Sequence, residues 1–258
     1  MRTSKTLKKI QSGGCVRICG LGHYLPFFVR YAAHFGFDTI WLDLEHRAMT
    51  DREVQAILAL CHQYDIDCMV RSPTRELTKL YRYLEDGAAG LMMPLIADAA
   101  EAQHIVNSAK FPPLGNRGMD GAGMDGDFGI GVWEEGSTYS DDANRETFVV
   151  IQIETPQALA NVDSIAAVNG VDALFVGPAD LGLRLAQQPD GPDLETAITQ
   201  VAAAAERHGK AWGMPAGPAD IIAKRRSQGA QLLVSGGDFA LMGVLEEGRK
   251  AFDEALGE

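Results

Sequence analysis

Eight short apolar runs, separated along the 258 residues by segments of helical period, predict an α/β fold, a closed (β/α)8 TIM barrel. Two further observations agree with it. Glycines stand at helix-stop positions after several of the helical segments, and no linker or low-complexity stretch interrupts the alternation, so residues 1–258 are expected to form a single domain.

The elements follow in order. Thr3 to Gln11 is expected to form a short helix over the barrel floor, ahead of strand one at Val16 to Leu21 and strand two at Thr39 to Leu44. Strand three, Cys68 to Arg71, leads to a helix in which Leu77, Leu80, Tyr81 and Leu84 recur on one face and which Gly87 stops. Strand four is expected at Gly90 to Leu95. After it the rhythm breaks in a connection over about 112–145, rich in Gly and Asp. Loops this long in compact domains are functional or mobile. With Trp133 and Tyr139 as apolar anchors, this one is expected to fold over the strand ends or to meet a neighbouring subunit; a floppy insertion is the alternative. Strand five is Val149 to Ile153. The stretch between Glu154 and Asp180 reads as one helix with Gly170 as its stop, leading into strand six, Ala173 to Val176. Val201, Ala204 and Ala205 mark a helix closed by Gly209, then come strand seven at Ala211 to Met214, a segment stopped by Gly229, and strand eight at Leu232 to Val234.

The formal charge of -12 and a pI near 4.9 oppose binding to nucleic acid or to an anionic membrane surface, so the expected partner is a small molecule. No run approaches the ~20 apolar residues of a membrane span, and the opening residues lack the apolar centre of a signal peptide, which predicts a cytoplasmic protein. Cys15, Cys19, Cys61 and Cys68 show no zinc spacing and are expected to be free, buried thiols.

In such a barrel, charged residues that end strands collect on one face, where a core would not choose them. Strand two ends in Asp43-Leu44-Glu45-His46, strand three in Arg71, strand five in Gln152 and Glu154, strand six in Asp180 and strand eight in Asp238. Glu154 and Asp180 are hard oxygen donors, and two carboxylates with open positions suit Mg2+ or Mn2+ better than a closed zinc cage. Helix capping is the rival reading for both. Histidine is the side chain suited to proton transfer near neutral pH, so His46 is the natural general base, with Asp43, Glu45 and Arg71 converging on it; His23 follows strand one near the same rim. Arg71 can pair with those acids or steady a developing oxyanion. The turn Gly177-Pro178-Ala179-Asp180 offers the N–H groups of Ala179 and Asp180 to a substrate carboxylate. None of the eight lysines ends a predicted strand, so Schiff-base chemistry has no nucleophile there and an enolate-forming barrel would need a metal.

Together, Gly36-Phe37-Asp38 leading to Asp43-Leu44-Glu45-His46, Arg71-Ser72-Pro73, Pro112-Pro113-Leu114-Gly115-Asn116-Arg117-Gly118, Gln152-Ile153-Glu154-Thr155, and Gly170-Val171-Asp172 through Gly177-Pro178-Ala179-Asp180-Leu181 resemble the class II, metal-dependent pyruvate aldolases of the HpcH/HpaI aldolase family. The resemblance runs over nearly the whole chain. It implies reversible cleavage of a 4-hydroxy-2-oxo acid to pyruvate or hydroxypyruvate and an aldehyde through a metal-stabilised enolate, with a divalent cation (Mg2+, Mn2+ or Co2+). It implies Glu154 and Asp180 as metal ligands, His46 as base, Arg71 as transition-state stabiliser, and Gln152, Ala179 and Asp180 as substrate-binding positions. It also implies a carboxylate partner for His46 at Glu85, with Asp86 beside it, and a homohexamer built as a trimer of dimers. The chain departs from the family in its run Gly121 to Gly131 and around His23, where a tryptophan is expected. Two alternatives are a lyase acting on a coenzyme A ester, for which only Arg71, Arg117 and Arg184 offer a basic rim, and a non-catalytic metabolite-binding barrel.

Overall fold

A computed structural model describes residues 1–257 and shows eight parallel strands closed into a barrel in chain order, with the last returning to the first. The strands are β1 Val16–Leu21, β2 Thr39–Asp43, β3 Asp67–Arg71, β4 Gly90–Met93, β5 Phe148–Ile153, β6 Ala173–Val176, β7 Ala211–Pro215 and β8 Leu232–Gly237. Around them run the helices α1 Lys5–Gln11, α2 Pro26–His34, α3 Asp51–Gln63, α4 Leu77–Glu85, α5 Ala99–Ala109, α6 Tyr139–Glu146, α7 Pro156–Ala160, α8 Val162–Ala166, α9 Pro178–Leu185, α10 Leu194–Arg207, α11 Ala219–Ser227 and α12 Leu241–Leu256. No helix among the described residues is long and apolar enough to cross a membrane.

Strand side chains alternate between two environments, as a pleated wall demands. Val16, Ile18, Met69, Met92, Phe148, Val150, Phe175 and Leu232 form one cluster in the lumen, plugged from below by Leu7 of α1. The alternate residues, such as Leu42, Val70, Leu91, Ile151 and Leu174, pack outward against Ile57, Leu84, Ile105 and Val201 of the helices. Two lumen positions must lack a side chain. A Cβ on Gly90 would lie 2.3 Å from the Phe148 ring, and one on Gly213 would lie 1.9 Å from the Leu232 carbonyl oxygen. Below, Ser4 caps α1 and ties it to the buried Asp67, whose Oδ2 accepts from Ser4 Oγ and from Thr6 N–H at 2.8 Å each.

Several expectations need correction. Strands two and four end one and two residues early, at Asp43 and Met93, because the chain turns at once into the rim loops. The segment after Glu154 is two short helices, since Asn161 both closes α7 and opens α8 while its side chain donates to the Ala97 carbonyl at 2.9 Å. The long connection does not lie over the strand ends. Gly87 and Met124 touch closely, and Gly123 packs on Glu85, so it folds against the C-terminal end of α4. Tyr139 anchors it, buried, with its hydroxyl donating to Asp125 at 2.9 Å; Trp133 does not, being 68 % exposed. The four thiols are free as expected, although Cys15 is only half-buried.

Gly213→Ala is expected to lower stability by about 1–3 kcal/mol or more, because the added methyl would overlap β8 backbone rather than a mobile side chain. The urea midpoint measures it; an unchanged midpoint would mean that β7 and β8 are not packed this closely.

Candidate active site

Residues two apart on a strand face the same way, so the lumen pattern fixes which rim side chains meet. Asp43 continues the inward row of Trp41, Arg71 that of Met69, and Gln152 and Glu154 that of Phe148 and Val150. Register does the rest: Asp43 and Arg71 are direct partners across the β2–β3 pair.

Arg71 holds a two-point grip on Asp43, Nε to Oδ1 at 2.9 Å and Nη2 to Oδ2 at 2.7 Å. Its guanidinium stacks 4.7 Å above the Trp41 ring, which meets Phe175 edge-on and closes the apolar lumen beneath. Burial pushes the Asp43 carboxyl up, but the Arg71 hydrogen bonds and charge, with the N–H groups of His46 and Glu45, outweigh burial and hold it below its ordinary value. Glu45 turns into the same group. Its Oε2 lies 3.1 Å from Arg71 Nη1 and 3.5 Å from His46 Nε2, and this buried oxygen has no aligned hydrogen bond.

Glu154 is 2 % exposed. Its Oε1 accepts from Leu95 N–H at 2.7 Å and its Oε2 from Gln152 Nε2 at 2.6 Å. Burial raises its pKa against the Leu95 N–H, and the negative charges of Glu45 and Asp180 raise it further. Capping explains neither acid. Thr155, not Glu154, caps α7, and Asp180 sits inside the first turn of α9 without a side-chain cap bond. Arg184 reaches back one turn to Asp180 Oδ1 at 2.6 Å and to the Glu154 carbonyl at 3.0 Å, locking the two acids to each other's strand ends. Gly177 makes room between them, for a Cβ there would come within 2.7 Å of Glu154 Oε2.

This donor set fits a hard divalent cation. Of the two carboxylates, Glu154 is deeply buried and feels the negative charge of Glu45 and Asp180, and it is hydrogen-bonded to Gln152, whose Oε1 is a buried oxygen with no hydrogen-bond donor. Among the described residues no three His, Cys, Asp or Glu side chains form a ready metal cluster, so Glu154 and Asp180 would leave positions open to substrate oxygens. At the start of α9 the N–H groups of Ala179 and Asp180 face out of the first turn, uncapped.

His46 lies on this rim, half-exposed beside Glu45. Glu85 does not. It closes α4 at the far end of the barrel wall, where burial raises its carboxyl, Arg117 opposes that rise, and Asp125, Asp120 and Asp86 add to it. Asp86 accepts from Gln55 at 3.0 Å instead. The expected Glu85–His46 pairing is therefore absent within one chain, and Glu45 stands nearest the imidazole. His23 joins the rim through Asp238, whose Oδ2 accepts from its Nδ1 at 2.6 Å and from the N–H groups of Gly22 and His23 at 2.9 Å. Leu95 and the clamping role of Arg184 went unread in the sequence. The four-residue spacing from Asp180 signals Arg184, but nothing in a leucine announces a backbone N–H aimed at Glu154 from a positive φ of 55°.

Residues 24–242 match the family described as HpcH/HpaI aldolase/citrate lyase. The chain belongs to this family. That makes it a member of an aldolase family, a group of carbon–carbon lyases. It is similar to a 4-hydroxy-2-oxovalerate aldolase of Rhodococcus jostii (strain RHA1), 32% identical over 229 residues covering 86% of each chain. It is also similar to a hydroxypyruvate/pyruvate aldolase of Pseudomonas aeruginosa, 28% identical over 91% of this chain and 87% of the relative. Among solved structures, an HpcH/HpaI aldolase from Desulfitobacterium hafniense DCB-2 superposes with a TM-score of 0.86 at 32% identity, covering 96% of each chain.

Mn2+ is expected to stabilise the parent, by about 2.7 kcal/mol at a hundredfold excess over Kd, and Glu154→Gln is expected to abolish that stabilisation. The metal-free variant should melt no lower than the parent, because the change removes one of three mutually repelling acids. Paired melts with and without metal measure both; a metal-induced shift that survives would remove Glu154 from the ligand set.

Proposed function

We propose that this chain is a divalent-metal-dependent aldolase that reversibly cleaves a 4-hydroxy-2-oxo acid to pyruvate, or hydroxypyruvate, and an aldehyde. The observation that carries the reading is the buried Glu154, held beside Asp180 and Arg71 on a rim without lysine. The two most buried lysines lie elsewhere: Lys110 donates to the Asn144 carbonyl at 2.8 Å and Lys210 to that of Val171 at 2.7 Å, both on the floor side of the wall. A Schiff base has no amine at this mouth.

Held by Glu154 and Asp180, a Mg2+, Mn2+ or Co2+ ion supplies Lewis acidity toward the 2-oxo acid. The residues around it supply the rest. Ala179 and Asp180 offer two backbone N–H groups to the substrate carboxylate, and Gln152 borders the same space. His46 takes the proton of the C4 hydroxyl as the C3–C4 bond breaks; the bonding pair moves onto C3 and toward the C2 oxygen, giving the aldehyde and an enolate. Arg71, immobilised by Asp43, aims its remaining N–H groups at the oxygen where that charge develops. Glu45, 3.5 Å from His46 Nε2, orients the base. A coenzyme A ester is poorly served, because Arg71, Arg117 and Arg184 are committed to Asp43, Asp125 and Asp180.

The homohexameric assembly that the resemblance implies, a trimer of dimers, is supported by two apolar surfaces that one chain leaves bare. Helix α12 has no buried residue and exposes Leu241, Met242, Val244, Leu245, Phe252 and Leu256. Between α2 and α11 a gap of about 130 Å3 opens onto Phe35, Phe37, Ile222 and Leu233, where a helix following β8 would ordinarily pack.

A chelator is expected to abolish pyruvate release and Mn2+ or Mg2+ to restore it, with borohydride trapping no adduct; activity that survives full chelation, or a trapped adduct, would refute the metal route. His46→Ala should slow the aldol step by about 10²–10⁴-fold while the Mn2+-induced melting shift stays. Loss of that shift would make His46 a ligand. Truncation after Ala240 should yield smaller species, or aggregates, by sedimentation. An unchanged assembly would exclude α12 from its contacts.

A further inference from the structure

A cavity of about 600 Å3 opens over β1, β2 and β8, on the side of Arg71 and His46 away from Glu154 and Asp180. Its wall carries Trp41 and Phe239, its floor the side-chain-free positions Gly20 and Gly237, and its lip Arg47. The metal-binding acids and the α9 turn occupy the other half of the mouth. If the 2-oxo acid lies there, as the proposed aldolase reading requires, the aldehyde must enter from this side, with its carbonyl near His46 and its tail over β1 and β8.

Among the described residues that line this cavity, Arg47 is a cation without an ion pair. Arg71 is matched by Asp43 and Glu45, Arg184 by Asp180 and Arg75 by Glu101. Among the described residues no carboxylate lies within ion-pair distance of Arg47, and it is nonetheless held in place. Nη1 donates to the His46 carbonyl at 2.7 Å, the guanidinium stacks 4.9 Å from the centre of the Phe239 ring, and the stem crosses Gly22, where a Cβ would come within 2.9 Å of Arg47 Cγ. The nearby Asp238 is buried and turned toward the β1 end, its Oδ2 accepting from Gly22 N–H and His23 N–H and meeting the His23 imidazole. The cavity is also lined by Asp43, Asp238, His46 and Arg71, but Asp43 is gripped by Arg71 and Asp238 by the β1 end, so a fixed guanidinium with free N–H groups beside Trp41 and Phe239 is a receptor for an anion.

We propose that this half of the mouth selects aldehydes with an anionic far end, a carboxylate or a phosphate-like group, and that Arg47 is the residue that reads the charge. The inference rests on the aldolase reading and adds to it the class of the electrophile. A neutral aldehyde fills the same space against Trp41 and Phe239 but leaves Arg47 unmatched.

The test measures kcat/KM for addition of pyruvate, with Mn2+, to succinic semialdehyde against butanal and to glyceraldehyde 3-phosphate against glyceraldehyde, in the wild-type chain, Arg47→Ala and Arg47→Lys. The wild type is expected to favour the charged member of at least one pair by about tenfold or more, as a charge-assisted hydrogen bond warrants; which pair responds tells carboxylate from phosphate. In Arg47→Ala the ratio should collapse through KM for the charged aldehyde, and Arg47→Lys should keep part of it. No charge preference in the wild type, or one that survives Arg47→Ala, overturns the assignment. Exchange of the pyruvate methyl protons in D2O needs no aldehyde and separates the two readings. Its absence from the wild type overturns the aldolase reading and this inference together, whereas exchange without charge preference overturns Arg47 alone.

Discussion

A parallel sheet closed on itself has no edge, and every second side chain along every strand is committed to its interior. That constraint determines most of what this molecule can do. Below the rim the inward positions are apolar and pack around Trp41, Phe148 and Phe175; one step above, the same rows deliver Asp43, Arg71, Gln152 and Glu154 to a common mouth. The polar group therefore stands on a dry floor. Arg71 rests on the Trp41 ring and meets little water from beneath, which strengthens its hold on Asp43 and its pull on any charge that forms above.

The charges on that floor are not balanced residue by residue. Arg71 is over-satisfied by Asp43 and Glu45, while Glu154 is buried with acids near it, steadied by two N–H donors and by the more distant charge of Arg71. A protein that needed these groups for stability alone would do better with apolar replacements. The local cost of keeping Glu154 buried is offset by the wall around it, through Leu95 in a strained backbone conformation, the absent side chain of Gly177 and the Arg184 clamp.

Much of the architecture was legible in the sequence because apolar period and stop glycines are local signals. Gly87, Gly209 and Gly229 do take positive φ at helix ends, whereas Gly170 takes it in a turn beyond Ala167, which already caps α8; all eight strands lie where the runs place them within a few residues. The charged rim was legible for a related reason, since a carboxylate or guanidinium at the end of an apolar run has no other good explanation. What escaped depends on contacts far apart in the chain or on the backbone. Asn161 breaks a helix by reaching Ala97, and within one chain Glu85 is carried by α4 to the far end of the wall from His46 and Trp133 stays exposed. Only the three-dimensional path of the chain decides those.

The pairing of β1 with β8 joins the beginning of the chain to its end, and Asp238 fastens that seam by accepting hydrogen bonds from Gly22 and His23, more than two hundred residues earlier. Contacts of such separation carry the largest loop-closure entropy and belong to the late stages of folding. One wall of the cavity beside His46 is built from this seam. A nascent or partly folded chain can thus display Arg71 and Glu154 on the flanking strands of a formed β3–β4–β5 sheet and still lack half of its mouth, so the complete pocket exists only in molecules whose first and last strands have met.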